Sequence, residues 1–170
     1  MINAINTANS NNEDNTIVLA TGGVYTFIAP YSGGDGLPLI VHNSDHTLMI
    51  EGSGAVMAYS GSSDLRFFHN ISVTVISNLT MSGGNASSST NGGGAVYNGG
   101  PGTLTLNNCV LSSNSVLDSS FVTDPEQGGG AISNRGNLTV QNCLFSNNTA
   151  CNRGESELRH GTALNNFQRR

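Results

Sequence analysis

An internal repeat constrains this chain more than any other feature. Gly92-Gly93-Gly94-Ala95-Val96-Tyr97-Asn98 followed by Leu104-Thr105-Leu106-Asn107-Asn108-Cys109-Val110-Leu111-Ser112-Ser113-Asn114 is nearly restated downstream. The second copy is Gly128-Gly129-Gly130-Ala131-Ile132-Ser133-Asn134, then Leu138-Thr139-Val140-Gln141-Asn142-Cys143-Leu144-Phe145-Ser146-Asn147-Asn148. Ala95 and Ala131 lie 36 residues apart, and Cys109 and Cys143 lie 34 apart. A period of this size marks units that cannot bury an apolar face alone and must stack on their neighbours. Upstream, Phe67-Phe68-His69-Asn70 stands 28 residues before Ala95-Val96-Tyr97-Asn98, and Asn78-Leu79-Thr80-Met81-Ser82 matches Asn108 to Ser112. Downstream, Gly161-Thr162-Ala163-Leu164-Asn165-Asn166 matches Gly129 to Asn134, 32 residues on. A period that varies this much places the extra residues in loops, at 85–91, 117–127 and 150–160.

Inside each repeat the apolar residues alternate with polar ones. Thr105 separates Leu104 from Leu106, Thr139 separates Leu138 from Val140, and Thr74 separates Val73 from Val75. Alternation over three to five residues between Gly and Asn is the strand period bounded by turn residues. The reading that follows is all-β, a right-handed parallel β-helix. Its coils stack at about 4.8 Å, with Leu104, Leu106, Leu138 and Val140 inward and Thr105 and Thr139 outward. Asn70, Asn98, Asn134 and Asn166 are expected to form one structural ladder of stacked corner amides, and Asn114 and Asn148 a second. Their role is expected to be that of turn residues in the left-handed region held by amide hydrogen bonds, in preference to a binding surface.

The chain reads as a single domain over 1–170. Residues 1–36 hold a cap and the first strands, 37–150 the coils, and 151–170 the start of an incomplete coil. Ile2 to Asn9 is the one helix candidate, with Ile2, Ile5 and Ala8 on a shared face, and with Thr16-Ile17-Val18-Leu19 it makes the N-terminal cap. A solenoid needs its open ends covered, and no second cap is visible, so a chain truncated at its C-terminus is expected. No basic n-region with an apolar run marks a signal peptide, and no stretch approaches the ~18 apolar residues of a membrane helix. A net charge of −5 with all six cationic residues Arg, four of them in the last 18 residues, argues against a nucleic-acid footprint.

Cys109 and Cys143 occupy equivalent positions and should stack on adjacent coils, within the ~4.4–6.8 Å Cα range of a disulfide. Side-chain direction decides between a disulfide and two small hydrophobes. Cys151 lies outside the pattern, and no C-x-x-C suggests zinc.

Gly93-Gly94-Ala95-Val96 and Gly129-Gly130-Ala131-Ile132, with Phe145-Ser146-Asn147-Asn148, resemble the GGA[ILV] and FxxN motifs of polymorphic outer-membrane protein repeats. The first copy departs from FxxN, having Leu111-Ser112-Ser113-Asn114. Ala4-Ile5-Asn6-Thr7-Ala8-Asn9, Thr16 to Leu19, Leu48-Met49-Ile50-Glu51-Gly52-Ser53-Gly54-Ala55 and Asn78 to Ala86 resemble CSLREA-type and other pectin-lyase-like β-helix domains. The resemblance implies a bacterial-type surface or secreted protein, placed outside the cell or on the outer membrane. The same solenoid hosts adhesins, lyases and hydrolases, so function has to be argued from the site.

A glycosidase needs two carboxylates about 5–10 Å apart. None of the eleven acidic residues falls in a repeat strand after Asp64. His42 and His46 flank Asp45 in turn-rich sequence, which is no metal-binding helix. No catalytic residue, metal ligand or cofactor is therefore expected. Asp118, Asp124 and Glu126 share one insertion and form the candidate binding loop, with a weak calcium site as the alternative to a solvated acidic loop. Five N-x-[ST] sequons, at Asn70, Asn78, Asn85, Asn137 and Asn147, are expected from composition alone. The expected function is a non-catalytic, adhesin-like surface module that binds glycans or host-cell surface proteins through outward strand faces and loops. The alternative is a fragment of a pectin-lyase-like polysaccharide lyase or glycoside hydrolase.

Overall fold

A computed structural model describes residues 1–42, 45–86, 92–116 and 129–150, and the backbone of 158–159. The chain is a parallel β-solenoid of about 4 turns behind one short helix. Helix α1 (Ile2–Ala8) buries Ile5 and Ala8, while Ile2 turns outward at 39% exposure. Three residues did not share the face as expected, because the helix is only 7 residues long and Ile2 stands at its open first turn. The Asn9 side chain pins the helix to the next coil, donating to the Leu39 carbonyl at 2.8 Å and accepting the Val41 N–H at 3.0 Å.

The long sheet runs through β1 (Asn15–Val18), β3 (Leu48–Tyr59), β5 (Val73–Ser82), β8 (Thr103–Asn107) and β12 (Asn137–Gln141), all parallel. Strand β2 (Val24–Phe27) pairs with the second half of β3. Strands β9 (Val110–Ser112) and β13 (Leu144–Ser146) continue the second half of β5. A second sheet stacks β4 (Phe68–Asn70), β7 (Val96–Asn98), β11 (Ile132–Asn134) and β15 (Leu158–Arg159). A third stacks β6 (Asn85–Ala86), β10 (Ser115–Val116) and β14 (Thr149–Ala150).

Register turns the repeat into columns. Leu104 pairs with Leu138, and Leu106 with Val140; all four are buried. Ile50, Ile76, Leu106 and Val140 make one inward column, and Met57, Met81, Leu111 and Phe145 another. Thr105 and Thr139 face outward, as the alternation predicts. In one segment the threonine takes the inward place. Thr74 is buried at 1% while Val73 and Val75 lie on the outer face. Ile76, Leu79 and Met81 fix which side of β5 is inward, and the Thr74 hydroxyl is satisfied inside by Asn70 Oδ1 at 2.8 Å.

Corners need left-handed backbone, and the residues that supply it are not the expected ones. Asn78, Asn108 and Asn142 take φ of 54°, 52° and 52° between the two arms of the long sheet, and Ser113 and Asn147 take 54° and 55° at the next corner. Asn tolerates this region better than other side chains. The ladder residues Asn70, Asn98 and Asn134 instead end strands β4, β7 and β11 in ordinary extended backbone. The glycine-rich block before β7 has a steric cause: a Cβ on Gly93, at φ 72°, would collide with the Val96 carbonyl.

Beyond β11 the register also differs from the expected repeat. Ile132 pairs with Leu158, whereas matching Gly161–Asn166 to Gly129–Asn134 sets it against Leu164. A two-residue parallel pairing is made by backbone groups alone, so it does not select between two leucines. Asn166 lies outside the described residues.

Candidate functional site

The ladder asparagines are built into the corners. Asn70 Nδ2 donates to Asn98 Oδ1 at 2.8 Å, and Asn98 Nδ2 donates to Asn134 Oδ1 at 2.6 Å. Asn98 has no exposed surface and also reaches the carbonyls of Asn137 and Gly102. In the second corner the amide replaces a missing backbone partner. Asn114 Oδ1 accepts the Gly84 N–H at 2.9 Å, and Asn148 Oδ1 accepts the Asn114 N–H at 2.9 Å. Their Nδ2 atoms donate back to the Met81 and Leu111 carbonyls. Polar groups this deeply buried must find partners, and these find them in one another. Asn70, Asn98, Asn114, Asn134 and Asn148 are at most 5% exposed, which leaves little of them for a ligand. Asn70, one of the five sequons, is 1% exposed and closed to a glycan in the folded chain. The candidate binding loop, Asp118, Asp124 and Glu126, lies outside the described residues, as does Cys151.

Two polar features on the coils were not legible as sites. The first is a charged cluster over the second sheet. Asp35 sits in a tight loop where Gly36 N–H bonds the Arg66 carbonyl at 2.7 Å and Arg66 N–H bonds the Gly34 carbonyl at 2.9 Å. Asp35 Oδ1 accepts Arg66 Nε at 2.6 Å, and Oδ2 lies 3.0 Å from His69 Nδ1. Arg66 Nη1 donates to the Gly92 carbonyl at 2.7 Å, and its guanidinium lies 5.3 Å from the Tyr97 ring centre. His69 packs on the same ring at 4.9 Å. Burial pulls the Arg66 pKa below its ordinary value, and the Asp35 carboxylate opposes that shift. Arg66 thereby ties together three successive levels of the solenoid. In the repeat His69 stacks on Tyr97, which in turn stacks on Ser133. The one sequence signal was Arg66 set between Leu65 and Phe67-Phe68, an apolar run that buries the guanidinium and demands a carboxylate.

The second feature is a groove of about 330 Å³ along the left-handed corner of the long sheet, lined by Glu51, Ser53, Asn78, Leu79, Thr80 and Asn108. Glu51 Oε1 accepts the Ser53 N–H at 2.8 Å, and Asn78 Nδ2 reaches Oε1 and Oε2 at 3.0 and 3.1 Å. The groove offers amides, hydroxyls and one carboxylate beside an aliphatic patch.

Around it, the outer faces are of two kinds. Thr105 with Thr139 and Asn107 with Gln141 form polar rows, as expected. The other arm carries the row Val24, Val56, Thr80, Val110 and Leu144, in which Val24 is 69% and Leu144 45% exposed. This largely aliphatic outward row was not anticipated from the repeat.

Elsewhere, Asp14 Oδ1 accepts the Thr47 N–H at 2.8 Å and lies 3.8 Å from His46 Nδ1. Among the described residues no three His, Cys, Asp or Glu side chains converge to hold a metal, and no helix is long and apolar enough to cross a membrane. Cys109 and Cys143 are both buried free thiols on adjacent coils. No family model, curated protein or solved structure matches the chain.

Proposed function

We propose that this chain is a non-catalytic module of a cell-surface or secreted protein, adhesin-like, that binds glycans along the outer face of its solenoid. The observation that carries this reading is the state of two carboxylates set against the coils. Asp35 has one oxygen on Arg66 and the other on His69, and Glu51 holds a backbone N–H and an amide. A proton-transfer or nucleophilic carboxylate has to face a substrate, and these two are engaged as structural acceptors. The corner groove supplies what a hydroxyl-rich ligand needs, amides and hydroxyls, with Val56 and Val110 flanking Thr80 on the outward row. The GGA[ILV] and FxxN-like motifs, which resemble those of polymorphic outer-membrane protein repeats, support a surface role. The insertion at 117–127, with Asp118, Asp124 and Glu126, is the loop assigned to a specific contact, since loops on a rigid scaffold carry variable binding function.

The test is paired. On a glycan array the wild-type chain should bind, and the double variant Asn78→Gly, Asn108→Gly should lose that binding while keeping its circular dichroism, because Gly preserves the left-handed corner. Incubation with polygalacturonate should release no product. Cleavage of a uronic-acid polymer, abolished by a single Asp→Asn change that leaves the circular dichroism intact, would replace this reading with the pectin-lyase-like enzyme.

A further inference from the structure

We propose that Cys109 and Cys143 are a modification site, at which a peroxide joins the two side chains in a disulfide that staples adjacent coils. The pair is in register, because Asn107 pairs with Gln141 on one side and Val110 with Leu144 on the other. Parallel neighbours stand about 4.8 Å apart, inside the ~4.4–6.8 Å range that a disulfide spans. Both side chains point inward, at 1% and 8% exposure. The Cys143 sulfur already lies between the coils, accepting the Cys109 N–H at 3.3 Å. The Cys109 sulfur leans the other way, toward the Ile76 carbonyl at 3.5 Å. Rotation about its Cα–Cβ bond to another staggered rotamer exchanges that weak S–H contact for Cys143.

The two thiols are chemically unequal. The neighbouring Cys109 side chain and the Cys109 backbone N–H hold the Cys143 pKa below its ordinary value, and the neighbouring Cys143 together with burial pushes Cys109 up. Cys143, also the more exposed, is therefore the attacking thiolate. It attacks one peroxide oxygen, the O–O bond breaks, and hydroxide leaves to take up a proton as water; Cys143 is now a sulfenic acid. The Cys109 sulfur then attacks the Cys143 sulfur, the S–O bond breaks, and the departing hydroxide carries off the Cys109 proton as a second water. Two thiols are oxidised to one disulfide, and one peroxide is reduced to two waters.

The experiment uses the full chain carrying Cys151→Ser, so that the third thiol does not compete. After hydrogen peroxide treatment and denaturation, thiol titration should fall from two to none, with the chain still monomeric. Tryptic digestion should yield one reducible cross-linked pair, 67–135 with 136–153. The oxidised chain should unfold at higher denaturant than the reduced one, and peroxide treatment of the chain in denaturant should give far less intramolecular cross-link. In the Cys109→Ser, Cys151→Ser variant, Cys143 should accumulate as a sulfenic acid that dimedone traps. Two thiols surviving treatment, Cys143 over-oxidised beside a free Cys109, or cross-links only between chains would each overturn the proposal.

Discussion

Replacing Asn98 with Ala tests whether the corner amides hold the coils together. Asn98 is wholly buried, and its side chain serves both neighbouring coils. Truncation removes the acceptor for one Asn70 N–H, although Asn70 keeps the Ser72 carbonyl at 2.8 Å. It also removes a donor to Asn134 Oδ1 at 2.6 Å and one to the Asn137 carbonyl at 3.0 Å. Each buried group that loses its partner costs about 1–3 kcal/mol, partly recovered where a second partner remains. The expected loss is about 2–4 kcal/mol of unfolding free energy by urea titration. Asn98→Asp is the sharper variant. It keeps the shape but sets a carboxylate against Asn134 Oδ1, and burial raises its folded-state pKa above the unfolded value. Its penalty should be small below about pH 4, grow as pH rises between the unfolded and folded pKa values, and then level off above Asn98→Ala. Gln141→Ala, on the exposed outer row, should stay within about 0.5 kcal/mol of wild type. If Asn98→Ala matches Gln141→Ala, the ladder is not structural and the argument against a binding role for these asparagines collapses.

Other substitutions probe the remaining layers. Leu138→Ala empties one place in an inward column and should cost about 2–5 kcal/mol in thermal or urea unfolding; an unchanged melt would mean that the column is misassigned. Asp35→Asn strands the buried Arg66 charge and should cost about 3–5 kcal/mol, with Arg66→Met in the same background restoring part of the loss in a double-mutant cycle. Additive effects of those two changes would show that the pair is not coupled. At the left-handed corner, Asn142→Gly should be close to neutral, whereas Asn142→Ala should lose about 1–2 kcal/mol; equal stabilities would contradict the positive φ.

Most of the coil geometry was legible because it repeats. Leu104 against Leu138 and Cys109 against Cys143 could be set side by side in the sequence, and stacking follows from that. What did not repeat was hidden. In β5 the alternation of Val73, Thr74 and Val75 did not say which face is inward; Ile76, Leu79 and Met81 set it, and the Thr74–Asn70 bond satisfies the threonine placed inside. The Asp35–Arg66–His69–Tyr97 cluster joins a loop to two successive coils of the solenoid, with no common spacing to reveal it. The aliphatic outward row from Val24 to Leu144 crosses five strands and gains one residue from each, so no single segment appears apolar. The amide ladders were visible as recurring asparagines, but which of them take left-handed backbone was not, since Asn serves both corner roles.

Inter-strand contacts measured by nuclear Overhauser spectroscopy across Ile76, Leu106 and Val140 test the solenoid most directly. In-register parallel coils require Leu106 to show backbone contacts to Ile76 on one side and Val140 on the other, with no short Hα–Hα pairs. Strong Hα–Hα contacts between these strands, the mark of antiparallel hairpins, would contradict the architecture on which every site described above depends.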